Sequence, residues 1–196
     1  MISSSFTLVA VALNLIGGAS YLRATLNGSV RPHRVTWLLW AAPPLIVFAA
    51  QVTRGVGIQA LLALSIGLVP LLVFLAALRQ KGDPWPVGAA DFLCAVLSVL
   101  ALALWALTSD ADLAILLSII ADFLAGLPTL AKAYVAPYSE NQTIFVCTCI
   151  GAAVVLATID KWTFAEVAFP LWIFLFTLAF VVVLAVRGGR CVAAAD

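Results

Sequence analysis

The chain has 196 residues, 65% of them hydrophobic and 10% charged, with a mean hydropathy of +1.18 and a formal net charge of +1. Soluble domains carry roughly 45–50% apolar and about 25% charged residues, and a chain this short has too little interior to hide such an excess. A soluble enzyme, a nucleic-acid-binding domain and a disordered chain are excluded, which leaves an all-α integral membrane protein.

A bilayer core about 30 Å thick takes around 20 apolar residues per helix, and the apolar runs between charges and turn residues predict seven spans. The first, 4–24, ends at Arg23 and the turn Asn27-Gly28-Ser29; no Lys or Arg precedes it, so it is expected to stay as a span rather than be cleaved as a leader. The second, 34–53, opens at Arg34, carries Trp37 and Trp40 on one helix face and contains Pro43-Pro44. The third, 56–78, follows Arg54-Gly55 and contains Pro70. Gln80-Lys81-Gly82-Asp83-Pro84 leads to the fourth, 86–108, with Asp91 near its start and Trp85 and Trp105 at its ends. The fifth, 111–133, follows Ser109-Asp110 and holds Asp122 and Pro128. Pro137-Tyr138-Ser139-Glu140-Asn141 precedes the sixth, 141–159, with Phe145, Cys147 and Cys149. Asp160-Lys161 and Trp162 precede the seventh, 164–186, which carries Pro170 and Trp172.

Cys147 and Cys149 fall on nearly opposite faces of a helix and read as small buried hydrophobes. With one histidine, His33, neither a metal site nor a cofactor is expected. In the short loops, Arg23, Arg31, Arg34, Arg79, Lys81, Lys132, Arg187 and Arg190 fall on one side, and only Arg54 and Lys161 on the other. The positive-inside bias therefore places the N-terminus outside and the tail 191–196 in the cytoplasm. The expected location is a multi-pass protein of the cell (plasma or inner) membrane.

The chain repeats itself. A shift of 108 pairs Asn14 with Asp122, Gly18 with Gly126 and Ser20 with Pro128, and brings Arg23 within one residue of Lys132. After a three-residue shortening of the loop, Pro32 falls on Pro137 and Trp40 on Phe145. Residues 1–80 then form one three-helix repeat, 81–109 a linker helix and 110–190 a second repeat. An even number of crossings separates the two starts, so the repeats are parallel.

This 3+1+3 layout resembles the SWEET sugar transporters, their half-size SemiSWEET relatives and the wider PQ-loop superfamily. Pro128-Thr-Leu-Ala-Lys-Ala-Tyr-Val-Ala-Pro137-Tyr-Ser139-Glu140 is similar to the family's pattern of a proline in the first helix of a unit followed by a polar loop. The first unit departs from it, with Ser20 at the proline position, and no Pro-Gln dipeptide occurs. The resemblance implies two three-helix bundles that transport a sugar or similar metabolite by alternating access.

Asp122 lies twelve residues in from Asp110, about 18 Å along a helix at 1.5 Å per residue, near the bilayer midplane. Asn14 lies at similar depth. Polar groups there face the bundle interior, where Asn14 and Asp122 either line a shared solute site or tie helices together. Trp37 and Trp40 are either interfacial belt residues or a stacking wall beside the solute; Trp85, Trp105 and Trp162 read as belt residues, and Asp91 as snorkelling or capping. The expected binding set is Asn14, Asp122, Trp37, Trp40, Phe145 and Trp172. Pro44, Pro70, Pro128 and Pro170 each remove a helix hydrogen bond and are the expected hinges, although such kinks also occur in static bundles.

The seventh span has no lysine for a retinal Schiff base, no span combines Ser, His and Asp, and no nucleotide-binding glycine loop is present, so no enzyme activity is expected. The expected partners are a small-molecule solute and the lipid bilayer, with no nucleic acid, and a monomer or homo-oligomer; Asp122 either couples a proton to transport or serves, protonated, as a neutral hydrogen-bond donor to the solute. The competing reading is a non-transporting signalling or assembly subunit, which predicts a solid core around Asn14 and Asp122, whereas transport predicts a cavity open to one side.

Overall fold

In lipid every backbone N–H and C=O must be satisfied inside the chain, and for long apolar runs the α-helix achieves this within one segment. The computed structural model describes residues 3–80, 88–107 and 110–193; Lys81, Trp85 and Ser109 lie outside them, as do residues 194–196 of the tail. Its regular elements are all helical. After a 3-10 turn at Ser4–Phe6 come α1 (Thr7–Leu26), α2 (Arg34–Leu39), α3 (Ala42–Thr53) and α4 (Ala60–Arg79). Then follow α5 (Ala89–Ala106), α6 (Ala111–Val135), a 3-10 turn at Pro137–Ser139, α7 (Gln142–Ala157) and α8 (Phe164–Ala193). Asp91 and Trp105 fall on α5.

Among the described residues, five stretches are long and apolar enough to cross a membrane: Ser4–Leu26, Arg34–Thr53, Ala60–Arg79, Ala111–Val135 and Phe164–Gly188. Gln142–Thr158 is a shorter apolar helix. The protein is thus an all-helical, membrane-embedded chain.

The second apolar run is divided, not merely kinked. Pro43 and Pro44 stand in the first turn of α3 and have no N–H to return to the carbonyls of Leu39 and Trp40, so α2 stops and α3 starts anew. Pro44 opens a helix, whereas Pro70, Pro128 and Pro170 lie inside α4, α6 and α8. The polar residues between runs act as caps. Asp110 accepts hydrogen bonds from the N–H groups of Asp112 and Leu113 at 2.8 and 3.1 Å, and Asn141 from that of Thr143 at 2.9 Å.

α4 packs between α1 and α3, and α8 between α6 and α7; α1 also packs on α7, α6 on α3, and α5 on α6. The α1–α7 approach is close, since a Cβ at Gly17 would stand 2.9 Å from the Ile144 Cα, as expected where helices associate through small residues. Two buried clusters fill the bundle. One is aliphatic, built on Val47, Leu62, Ile66, Ile115, Val155 and Ile173 with Phe169; the other is aromatic, built on Tyr21, Trp37, Trp40, Phe145, Phe176 and Phe180.

The loops meet at two ends. At one, Arg54 pairs with Asp112 at 3.1 Å, and Gln59 donates to the Thr158 carbonyl at 3.4 Å. At the other, Arg34 donates to the Gln80 carbonyl at 3.5 Å, Gln80 to that of Val30 at 2.8 Å, and Lys132 to that of Arg31. There Arg187 also donates to the Tyr134 carbonyl at 2.9 Å.

Candidate functional site

Where the aliphatic and aromatic clusters meet, a cavity of about 60 Å³ remains, enough for roughly four to six water molecules at about 10–15 Å³ each. Asn14 of α1, Trp37 of α2 and Trp40 line it together with Ile66, Val69 and Pro70 of α4. Asp122 of α6, Ile144, Phe145 and Thr148 of α7, and Ile173, Phe176, Thr177 and Phe180 of α8 complete the wall. Of the residues expected from sequence, Asn14, Asp122, Trp37, Trp40 and Phe145 all meet here, and Pro70 with them.

Trp172 is not part of the wall. It stands behind it, its indole Nε1 donating to Asp122 Oδ2 at 2.8 Å while its ring stacks on Phe176. Pro44, Pro128 and Pro170 do not touch the cavity. Trp37 and Trp40 are 1% and 8% exposed, which places them in the core and not in a lipid-facing belt; Trp162, by contrast, is exposed. Sequence reasoning missed Thr148, Thr177, Phe176 and Phe180.

Asn14 and Asp122 are both buried and both bridge helices. Asn14 donates from Nδ2 to Ser65 Oγ on α4 at 3.2 Å and accepts at Oδ1 from Thr148 Oγ1 on α7 at 2.9 Å. Asp122 accepts at its carboxylate from Trp172 on α8, and at its backbone carbonyl from the Trp40 indole at 3.1 Å. Among the described residues no hydrogen bond engages Oδ1 of Asp122. One turn beyond Asp122, a Cβ at Gly126 would stand 2.2 Å from Phe176 Cζ and 2.9 Å from Trp40 Cζ2. Only glycine leaves room for both rings against α6.

Two turns along α1 from Asn14 lies a second polar centre. Lys132 Nζ and Glu140 Oε1 are 2.6 Å apart with both side chains wholly buried, and Tyr21 donates its hydroxyl to Glu140 Oε2 at 2.7 Å. Burial pushes the Glu140 carboxyl above its ordinary value, and the Lys132 ammonium and Tyr21 hydroxyl pull it part of the way back. The Tyr21 ring rests on Trp37 with centroids 4.4 Å apart, so this centre adjoins the cavity wall.

The sequence counts Lys132 among the loop cations and Glu140 among the polar residues of the next loop; the structure corrects the first and keeps Glu140 in that loop. Lys132 belongs to the last turn of α6, and the 3-10 turn Pro137–Ser139 folds Glu140 back onto it. An opposite-charge pair eight residues apart around a proline was the available signal. No family model, curated protein or solved structure matches this chain.

Proposed function

We propose that this protein is a membrane transporter of a small polar solute, built from two parallel three-helix units and working by alternating access in the manner of the SWEET-like and PQ-loop transporters it resembles. The first unit is α1 with α2–α3 and α4, the second α6 with α7 and α8, and α5 is the linker. The N-terminus lies outside and the arginine-rich loops in the cytoplasm.

One observation carries this reading: the matched bonding of Asn14 and Asp122 on a shared cavity wall. Each bonds the third helix of its own unit, through Ser65 and Trp172, and each bonds the second apolar run of the other unit, at Thr148 and Trp40. Asp122 follows Asn14 by 108 positions and Trp172 follows Ser65 by 107. Gly18 and Gly126 face Val69 and Phe176, again 107 apart. The third helix also packs between the other two in both units. Two polar residues that merely tied helices together would need no cavity between them.

The aliphatic cluster lies on one side of the cavity and the Tyr21–Lys132–Glu140 centre on the other. Alternating access requires these two layers to part in turn. Pro70, Pro128 and Pro170, each leaving a helix carbonyl without its usual donor, supply flexing points for that motion.

The test is uptake into vesicles reconstituted with the purified chain, using solutes selected by a thermal-shift screen. Asp122→Asn keeps the shape of the side chain, so the fold is expected to survive while uptake falls by about tenfold, equivalent to about 1.4 kcal/mol. Its pH profile is expected to flatten if Asp122 carries the coupled proton. Uptake at the wild-type rate and with the wild-type pH profile would remove Asp122 from the site and favour the subunit reading.

A further inference from the structure

We infer that the solute bound in this cavity is a small organic cation, with its ammonium group paired to Asp122 and enclosed by aromatic rings. The inference rests on the transport reading of the same cavity and names the class of solute. The two buried carboxylates Glu140 and Asp122 are partnered differently. Glu140 has its counter-charge inside the chain, in Lys132. Asp122 is 3% exposed and lines a cavity whose wall contains no Lys, Arg or His, and among the described residues its carboxylate accepts only from the neutral indole of Trp172. An ionised carboxylate removed from water is expensive without a positive partner. A ligand cation supplies that partner at Oδ1, which no described residue bonds.

The rest of the wall fits the same chemistry. Trp37, Trp40, Phe145, Phe176 and Phe180 surround the space, and aromatic rings attract desolvated ammonium groups, tryptophan most strongly. A polyhydroxylated solute fits poorly. The other polar groups on the wall are Asn14, Thr148, Thr177 and the indole N–H groups of Trp40, which donates to the Asp122 carbonyl, and of Trp37, which adds a single further donor. Asn14 is engaged with Ser65 and Thr148, and Thr177 donates to the Ile173 carbonyl at 2.6 Å. Most sugar hydroxyls would therefore face rings, and a buried hydroxyl without a partner costs about 1–3 kcal/mol. The volume of about 60 Å³ suits an ammonium head of a few heavy atoms.

The experiment titrates the detergent-purified full chain with choline, methylammonium, glucose and the neutral carbon isostere of choline, which has the same shape and no charge. At least one of the two cations is expected to bind about tenfold more tightly than either neutral probe, and Asp122→Asn is expected to abolish that preference. Absence of a preference for either cation, equal binding of the isostere, or a preference that survives in Asp122→Asn would each overturn the inference. If the variant does not fold, the choline–isostere comparison on the wild-type chain still decides. Vesicle uptake separates the two levels of the argument. Cation binding without uptake leaves the inference standing and overturns transport, while uptake of a neutral solute without cation preference does the reverse.

Discussion

Asp122 and Glu140 show how the same functional group takes different roles according to what surrounds it. Glu140 is locked to Lys132 and Tyr21, and removing one member of a buried ion pair strands the other charge, at a cost of about 3–5 kcal/mol. Glu140→Gln and Lys132→Met are each expected to destabilise the chain by that amount, and the double variant by clearly less than the sum. Unfolding of the four proteins in detergent measures this, and additive losses would show that the pair does not act as a unit. Asp110 is the exposed counterpart. Its carboxyl is held below the ordinary value of 3.8 by the N–H groups of Leu113 and Asp112. A depressed carboxylate stabilises the fold above its unfolded value and loses that contribution as pH falls through the folded one. Asp110→Ala is therefore expected to lower the thermal midpoint at neutral pH, and the gap from wild type should close in acid. A gap that persists at acid pH would show that charge has no part in this cap.

At the scale of the element, the positions of the helices follow from local rules, but the way they face does not. Apolar run length and punctuation by Asn, Asp, Gly and charged residues placed most helices within a few residues of where they stand. The exceptions have physical causes. Adjacent prolines cut one run into α2 and α3, and α8 continues past the expected end at 186 to Ala193, where Arg187 finds the Tyr134 carbonyl and ring. Facing is harder to read because a helix that is apolar all round carries no stripe to show which side is buried. That is why Phe176 and Phe180 were missed while Trp172, on the same helix, was selected. The glycines record the facing instead. Gly17→Val is expected to force α1 away from the α7 backbone at Ile144 and to destabilise the chain by about 1–3 kcal/mol, the usual range for overpacking. Unfolding in detergent measures it, and a neutral result would show that the two helices can separate without loss.

Taking the molecule as a whole, the proposed topology makes a prediction that does not depend on the solute. Ser29→Cys is expected to react with a membrane-impermeant thiol reagent in inside-out vesicles and not in intact cells; labelling from outside would reverse the orientation. Legible in the residues alone were the lipid surroundings of this protein, the extent of most of its helices, and the gathering of Arg31, Arg34, Lys132 and Arg187 at one end. These are properties of composition and one-dimensional spacing, governed by the thickness and low polarity of a bilayer. The tertiary structure alone decided that Asn14, Asp122, Trp37, Trp40 and Phe145 share one cavity, that Trp172 supports Asp122 from behind, and that Lys132 is neutralised by Glu140. Those outcomes depend on helix rotation and on contacts between residues as far apart as 14 and 148 or 21 and 140. No local pattern encodes them, because in an apolar helix every face is equally fit for lipid or for a neighbour until packing chooses between them.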